Sequence, residues 1–260
     1  MLSPPRAAGR GPRPDAGDAE GRLERLLQHL EQAGTAVRRG GGPSLPEDRH
    51  PTGLPEIDGL IGGGFPRGRV SEIAGPASCG RTSLAHALLA RTTAAGELAC
   101  VVDRANAFDP LSARQGGVDL ARVLWVRPPG VTEALRCAEH VLRAGGFALV
   151  LLDLASAHEA PRISGTIWPR VRKVVAGADA ALVTLCRERL VGTFADLALE
   201  LGEARAHFDE GPSWLSNLDG RVLLVRNRLG PDGSSVAVRW WSRHDPASPV
   251  TRRPGRERAA

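Results

Sequence analysis

Gly75-Pro-Ala-Ser-Cys-Gly-Arg-Thr-Ser83 decides how the rest of this chain is read. It fits the phosphate-cradling pattern G-x-x-x-x-G-K-[ST] at every fixed position but one, where Arg81 stands in place of lysine. Such a loop works because consecutive backbone N–H groups and the start of the next helix surround an anion, while glycines let the backbone come close. Gly75 and Gly80 supply that freedom, Thr82 and Ser83 supply hydroxyls, and Thr82 is the one expected on a magnesium ion. An apolar strand, Val70–Ala74, precedes the loop and a helical pattern over 82–92 follows it. Asp153 ends a second apolar run, Phe147–Asp153, where a carboxylate can hold the hydration shell of the same metal. Arginine is a bulky planar fork and lysine a compact ammonium, so the exchange at Arg81 is not conservative inside a tight cradle. Anion binding is expected to survive it and fast hydrolysis to be lost.

Working outward, short apolar runs alternate with helical periodicity, which predicts an α/β fold around a mainly parallel sheet. Strands are expected at Val70–Ala74, Leu98–Asp103, Val123–Val126, Phe147–Asp153 and 180–186, and helices at 82–92, 132–144 and Ile167–Ala176. Past Gly192 the character turns antiparallel, with strands at Leu197–Leu201, 221–227 and Ser235–Trp241, the last two joined by the turn Gly230-Pro-Asp-Gly233. Trp240 and Trp241 are expected to pack the end of the sheet. Residues 1–20 mix Pro, Gly and charge without periodicity and are read as disordered. Over 21–37, Leu23, Leu26, Leu27 and Leu30 form the i, i+3, i+4, i+7 stripe of an amphipathic helix, which covers either its own domain or a partner. A linker over 38–49, a core over 50–242 and a flexible basic tail over 243–260 complete the expected organisation.

The 260 residues carry 34 Lys+Arg against 29 Asp+Glu, a net charge of +5 that permits attraction to nucleic acid or an acidic partner. Cys79, Cys100, Cys137 and Cys186 form no C-x-x-C pair and have no histidine at metal-ligand spacing, so no metal site is expected and a reduced, cytoplasmic protein is. No run approaches the ~18 apolar residues of a membrane span. With no tyrosine and 5 phenylalanines, stacking platforms for single-stranded bases are scarce. The histidines are scattered and no serine sits on a G-x-S-x-G elbow, so nucleophilic catalysis has no support.

A chain of further matches makes the region 50–241 resemble the RecA recombinase core: Thr52-Gly-Leu-Pro-Glu-Ile-Asp58, Gly62-Gly-Gly-Phe-Pro-Arg-Gly-Arg-Val70, Glu72-Ile-Ala-Gly-Pro76, Asp103 to Asp109-Pro110, Gly117-Val118-Asp119 and Arg221-Val-Leu-Leu-Val-Arg-Asn-Arg228. The resemblance implies a RecA-like P-loop core with ATP and magnesium as its cofactors, here held weakly. Its departures matter as much. The family's water-activating glutamate corresponds to Ala105, its adenine-stacking tyrosine to Ser112 and its γ-phosphate-sensing glutamine to Arg187. The two DNA-binding loops correspond to short segments at 157–164 and 188–194. Arg226 and Arg228 resemble the lysines that reach a neighbouring subunit's nucleotide.

A RecA-like chain with these losses resembles the ImuA-type proteins, degenerate RecA homologues of the bacterial mutasome. That implies no enzyme but a pseudo-ATPase, an accessory protein of the DNA damage (SOS) response. It would support translesion synthesis and induced mutagenesis and modulate RecA recombination through protein contacts. The implied partners are an ImuB-type Y-family polymerase-like protein, an error-prone replicative-type polymerase and RecA itself, with DNA contact weak or indirect and no membrane. Two alternatives stay open. One is an ATP-dependent recombinase or recombination mediator with slow hydrolysis, in which Glu72, Asp103 or Asp109 replaces the missing base. The other is a cell-division inhibitor or signalling module, since this fold has been reused often.

Overall fold

The computed structural model describes residues 48–155, 163, 166–208 and 215–241, with the side chain of Trp241 left out. All of them fall in the compact unit Pro46–Ala260. The segment 1–20, the helix with Leu23, Leu26, Leu27 and Leu30, the linker up to residue 47, the loop 157–164 apart from Ile163, and the tail 243–260 lie outside the described residues.

Along the chain run β1 (Arg49–His50), α1 (Pro55–Leu60), β2 (Phe65–Pro66), β3 (Val70–Ala74), α2 (Arg81–Ala94), β4 (Leu98–Asp103), α3 (Pro110–Gln115), β5 (Val123–Val126), α4 (Val131–Ala144), β6 (Phe147–Asp153), α5 (Ile167–Ala176), β7 (Ala181–Cys186), β8 (Leu197–Leu201), β9 (Arg205–Phe208), β10 (Leu215–Asn227) and β11 (Ser235–Trp241). Among the described residues the main sheet has nine strands, ordered β11-β10-β8-β3-β7-β6-β4-β5, with β9 on β10. Neighbours from β8 through β5 are parallel. Those of β10 are antiparallel, and β9 and β8 take its first and second halves. The expected mainly parallel sheet extended by antiparallel strands is therefore the architecture found.

The central strands are largely apolar because both faces are covered, although β3 also buries Ser71 and Glu72 and β7 buries Thr184. All five residues of β3 and all six of β7 are buried. Ile73, Val101, Leu151 and Val183 face one core with Leu84 and Leu88 of α2. Val70, Val102, Val150 and Leu182 face the other, with Leu135 of α4 and Trp168 of α5. The core extends into the antiparallel part through Val222, Leu224, Val238 and Trp240. Trp240 thus packs within the sheet's cover, as its sequence context predicts.

β10 spans 13 residues, almost twice the expected 221–227. Its first half, Leu-Ser-Asn-Leu-Asp-Gly, is too polar to announce a strand. Pairing on both sides, with β9 and β11, draws it into the ladder. Arg49, at the end of the expected linker, pairs with Pro66.

Candidate functional site

β3 lies inside the parallel part of the sheet, and the chain leaves its carboxyl end into the glycine-rich loop. Ser78 (φ 59°) and Gly80 (φ 93°) both adopt left-handed backbone, which turns the chain back toward the start of α2. Gly80 is the N-cap of α2 and has no side chain to offer, so the helix's first N–H groups are left for an anion. Close approach holds both motif glycines in place. A Cβ on Gly75 would lie 2.7 Å from the Cys79 Sγ and 2.8 Å from the Leu201 carbonyl. One on Gly80 would lie 2.7 Å from the six-membered ring of Trp240. The indole from β11 therefore backs the loop directly.

Arg81 folds over the start of the loop. Its Nη1 donates to the carbonyl oxygens of Gly75 and of Pro76, the latter at 3.2 Å. A lysine ammonium on its flexible stem could swing away from such carbonyls; here one guanidinium nitrogen contacts both. The motif's cation is thereby bound to the loop's own backbone.

Asp153 and Asp103 are register partners at the carboxyl ends of β6 and β4. Burial pushes the Asp153 carboxyl above its usual range, against the pull of the Ala155 N–H, and Asp103 adds to the rise while Arg81 opposes it. Its Oδ1 accepts the Ala155 N–H at 2.9 Å. Asp103 is 1% exposed and holds the turn that follows it, accepting from the N–H groups of Ala107 (2.9 Å) and Phe108 (3.1 Å) and from the Trp125 Nε1 (3.2 Å). Ala105 sits on that turn, half-buried, with only a methyl to present.

The other carboxylates considered as replacement bases also hold backbone. Glu72 is fully buried in β3, and its Oε1 accepts from Leu190 N–H (2.5 Å) and Val191 N–H (2.8 Å), with Arg189 3.6 Å from its Oε2. It thereby ties the strand of the phosphate loop to the short segment 188–194. Asp109 caps α3, accepting from the N–H groups of Leu111 and Ser112 and from the Ser112 hydroxyl. Ser112 is exposed on α3, and Arg187 is exposed just past β7.

Between α2 and the turn after β4 lies a small pocket lined by Thr82, His86, Phe108 and Asp153 among others, with about 20 Å³ of free space, room for roughly one water. Burial lowers the His86 pKa, with Asp109 opposing. His86 meets Phe108 edge-on at 6.0 Å, Phe108 meets Trp125 at 5.4 Å, and the Arg127 guanidinium lies 4.8 Å from the Trp125 ring. Sequence reasoning passed over this row. The available signal was the i, i+4 spacing of Thr82 and His86, which puts both on one face of α2.

Of the basic pair on β10, Arg228 is engaged within the chain: its Nη2 donates to Thr193 O at 2.7 Å and its Nε lies 3.9 Å from Asp196. Arg226 is half-buried, and its Nε has no hydrogen-bond partner among the described residues. The four cysteines form no disulfide. Burial pushes the Cys100 thiol up to about 12. No described helix is long and apolar enough to cross a membrane.

The RecA N-terminal domain family matches residues 25–184. The RecA protein of Thermus aquaticus is 38% identical over 139 residues, which is 52% of this chain and 41% of that protein. The RecA protein of a Picosynechococcus strain is 31% identical over 178 residues, 67% of this chain and 50% of its own length. The chain thus spans about half, or less, of the relatives it matches. The crystal structure of the RadB recombinase superposes with a TM-score of 0.55 at 20% identity, covering 72% of this chain and 94% of that one, a likeness of fold.

Proposed function

The chain belongs to the RecA family, and from that premise we propose that it is a catalytically impaired member, a DNA-damage-response accessory protein that acts through protein contacts. The observation that carries this reading is Arg81, whose Nη1 is turned onto the carbonyls of Gly75 and Pro76. Ala105, which has no group to take a proton from water, supports it, as does the small scale of the segment at 188–194. The phosphate cradle itself fits a nucleotide: left-handed Ser78 and Gly80, the uncapped start of α2, and the Thr82 and Ser83 hydroxyls. Thr82 and Asp153 would hold a magnesium ion, which when bound supplies Lewis-acid polarisation of a phosphate oxygen. What this chain's residues contribute is binding without a positioned base. The role is translesion synthesis and induced mutagenesis alongside an ImuB-type polymerase-like protein and an error-prone replicative-type polymerase, together with modulation of RecA.

A second reading, a slow ATP-dependent recombinase or mediator, is favoured by the retained Gly75, Gly80 and Thr82 of the loop and by Asp153 beside Asp103. ATP turnover by the purified chain separates them. The accessory reading expects turnover far below ~1 per second, the low end of common enzyme rates, with or without single-stranded DNA. Brisk turnover overturns it. Arg81→Lys combined with Ala105→Glu is expected to raise the rate by about 10²-fold, the lower end of general acid–base contributions. Affinity capture with RecA and with the polymerase-like protein, with and without ATP, tests the partners.

A further inference from the structure

α4 and α5 pack side by side over one face of the sheet, and the last turn of α4 and the length of α5 from Arg170 onward line an open cleft of about 600 Å³. It is lined by Leu142, Arg143, Arg170, Lys173, Val174 and Gly177. Arg143 and Lys173 are exposed, and among the described residues neither has a hydrogen-bond or ion-pair partner. Arg170 uses only its Nε, which donates to Glu139 Oε1 at 2.7 Å; its side chain is 56% exposed. Three cations therefore share the cleft with one carboxylate, and that carboxylate is 11% exposed beneath Arg170. Asp179, just beyond Gly177, is an exposed carboxylate whose Oδ1 lies 4.0 Å from the Arg67 Nη1.

Helix-dipole compensation favours a cation in the last turn and accounts for Arg143 and Lys173 one helix at a time. It does not account for Arg170, one turn from the start of α5, or for exposed Arg136, which lies two turns before Arg143 on α4. We propose that this cleft is a docking site for the phosphodiester backbone of nucleic acid, read by charge and not by sequence. Guanidinium forks match phosphate oxygens in pairs, and the apolar lining is limited to Leu142 and Val174 flanking the cation stems. An acidic protein partner would need a desolvated apolar centre with aromatic anchors, and the cleft has no aromatic lining residue. For the same reason base stacking is absent here. The site lies outside the phosphate loop and does not depend on nucleotide.

The test is fluorescence anisotropy of the full chain with a labelled 40-nucleotide single strand and with a duplex of the same length, from 50 to 200 mM salt and without ATP. Arg143→Glu with Lys173→Glu is expected to weaken binding at least tenfold and to reduce the slope of log affinity against log salt by about 2. Arg143→Gln with Lys173→Gln should weaken it less. Arg205→Glu with Arg221→Glu, on β9 and β10, changes net charge equally and should leave affinity within twofold. Matched thermal melts establish that each variant is folded. Binding by one form and not the other identifies which nucleic acid is taken. No binding by the parent at 50 mM salt, equal losses in the cleft and control variants, or displacement of DNA by polyglutamate of equal charge in favour of an acidic protein each overturn the assignment.

Discussion

Asp153 carries the clearest electrostatic strain in the site, because burial raises its carboxyl pKa and neither the Ala155 N–H nor Arg81 fully offsets this. A carboxyl that holds its proton more tightly in the folded than in the unfolded chain loses stability as pH rises from the ordinary aspartate range, near 4, through the raised folded value. Above that value the cost is fully present; below the ordinary range both states are protonated and it vanishes. Asp153→Asn keeps an acceptor for Ala155 and removes the charge. Its melting temperature is expected to exceed the parent's at pH 7 and to converge with it near pH 4, and an equal difference at both pH values would falsify this account. Arg81 is the reciprocal case at this scale. One nitrogen of the Arg81 guanidinium lies against two backbone carbonyls, which ties the motif's cation to the loop itself.

Between elements, the decisive contact is β11 against the phosphate loop. The Trp240 ring lies between two glycines: a Cβ on Gly80 would come within 2.7 Å of it and one on Gly220 of β10 within 2.6 Å. The ring cannot yield from Gly220 without pressing on Gly80. Gly220→Ala, whose backbone is not left-handed, therefore isolates the steric effect and is expected to cost about 1–3 kcal/mol, as overpacked cores do. Pairing it with Trp240→Phe should recover much of that loss in a urea-melt double-mutant cycle; additive effects would show that the two sites are not coupled. Glu72 ties β3 to the segment after β7 in a similar way, through buried N–H bonds that an apolar residue could not replace.

Across the whole molecule, the antiparallel strands complete the core of the parallel sheet. Leu197, Leu199 and Leu201 of β8 are each no more than 2% exposed, covered in common with Val222, Leu224 and Trp240. A chain ending at Gly202 would leave β8 as an apolar edge and remove the ring behind Gly80. It is expected to lose cooperative urea unfolding, and a transition as sharp as the full chain's would show that the parallel part folds alone. The parallel strands and the helices expected at 82–92, 132–144 and 167–176 were legible from local pattern, because a strand buried on both faces is largely apolar and an amphipathic helix repeats every 3.6 residues. The loop, its glycines and the positions of Arg81 and Asp153 were legible too, since motif spacing is a property of the chain, while Ala105 was singled out only by the resemblance to the RecA core. The first half of β10 was not, because polar residues become a strand there only when neighbours on both sides supply hydrogen bonds. His86 beside Phe108, Trp240 behind Gly80 and the cations of α4 and α5 around one cleft are likewise contacts between distant segments. By itself the sequence determined the fold class and the damaged phosphate motif, which depend on order and spacing along the chain. Only tertiary structure decided where Arg81 spends its hydrogen bonds, which carboxylates hold backbone and which cations share a surface, because those depend on distances that chain order does not encode.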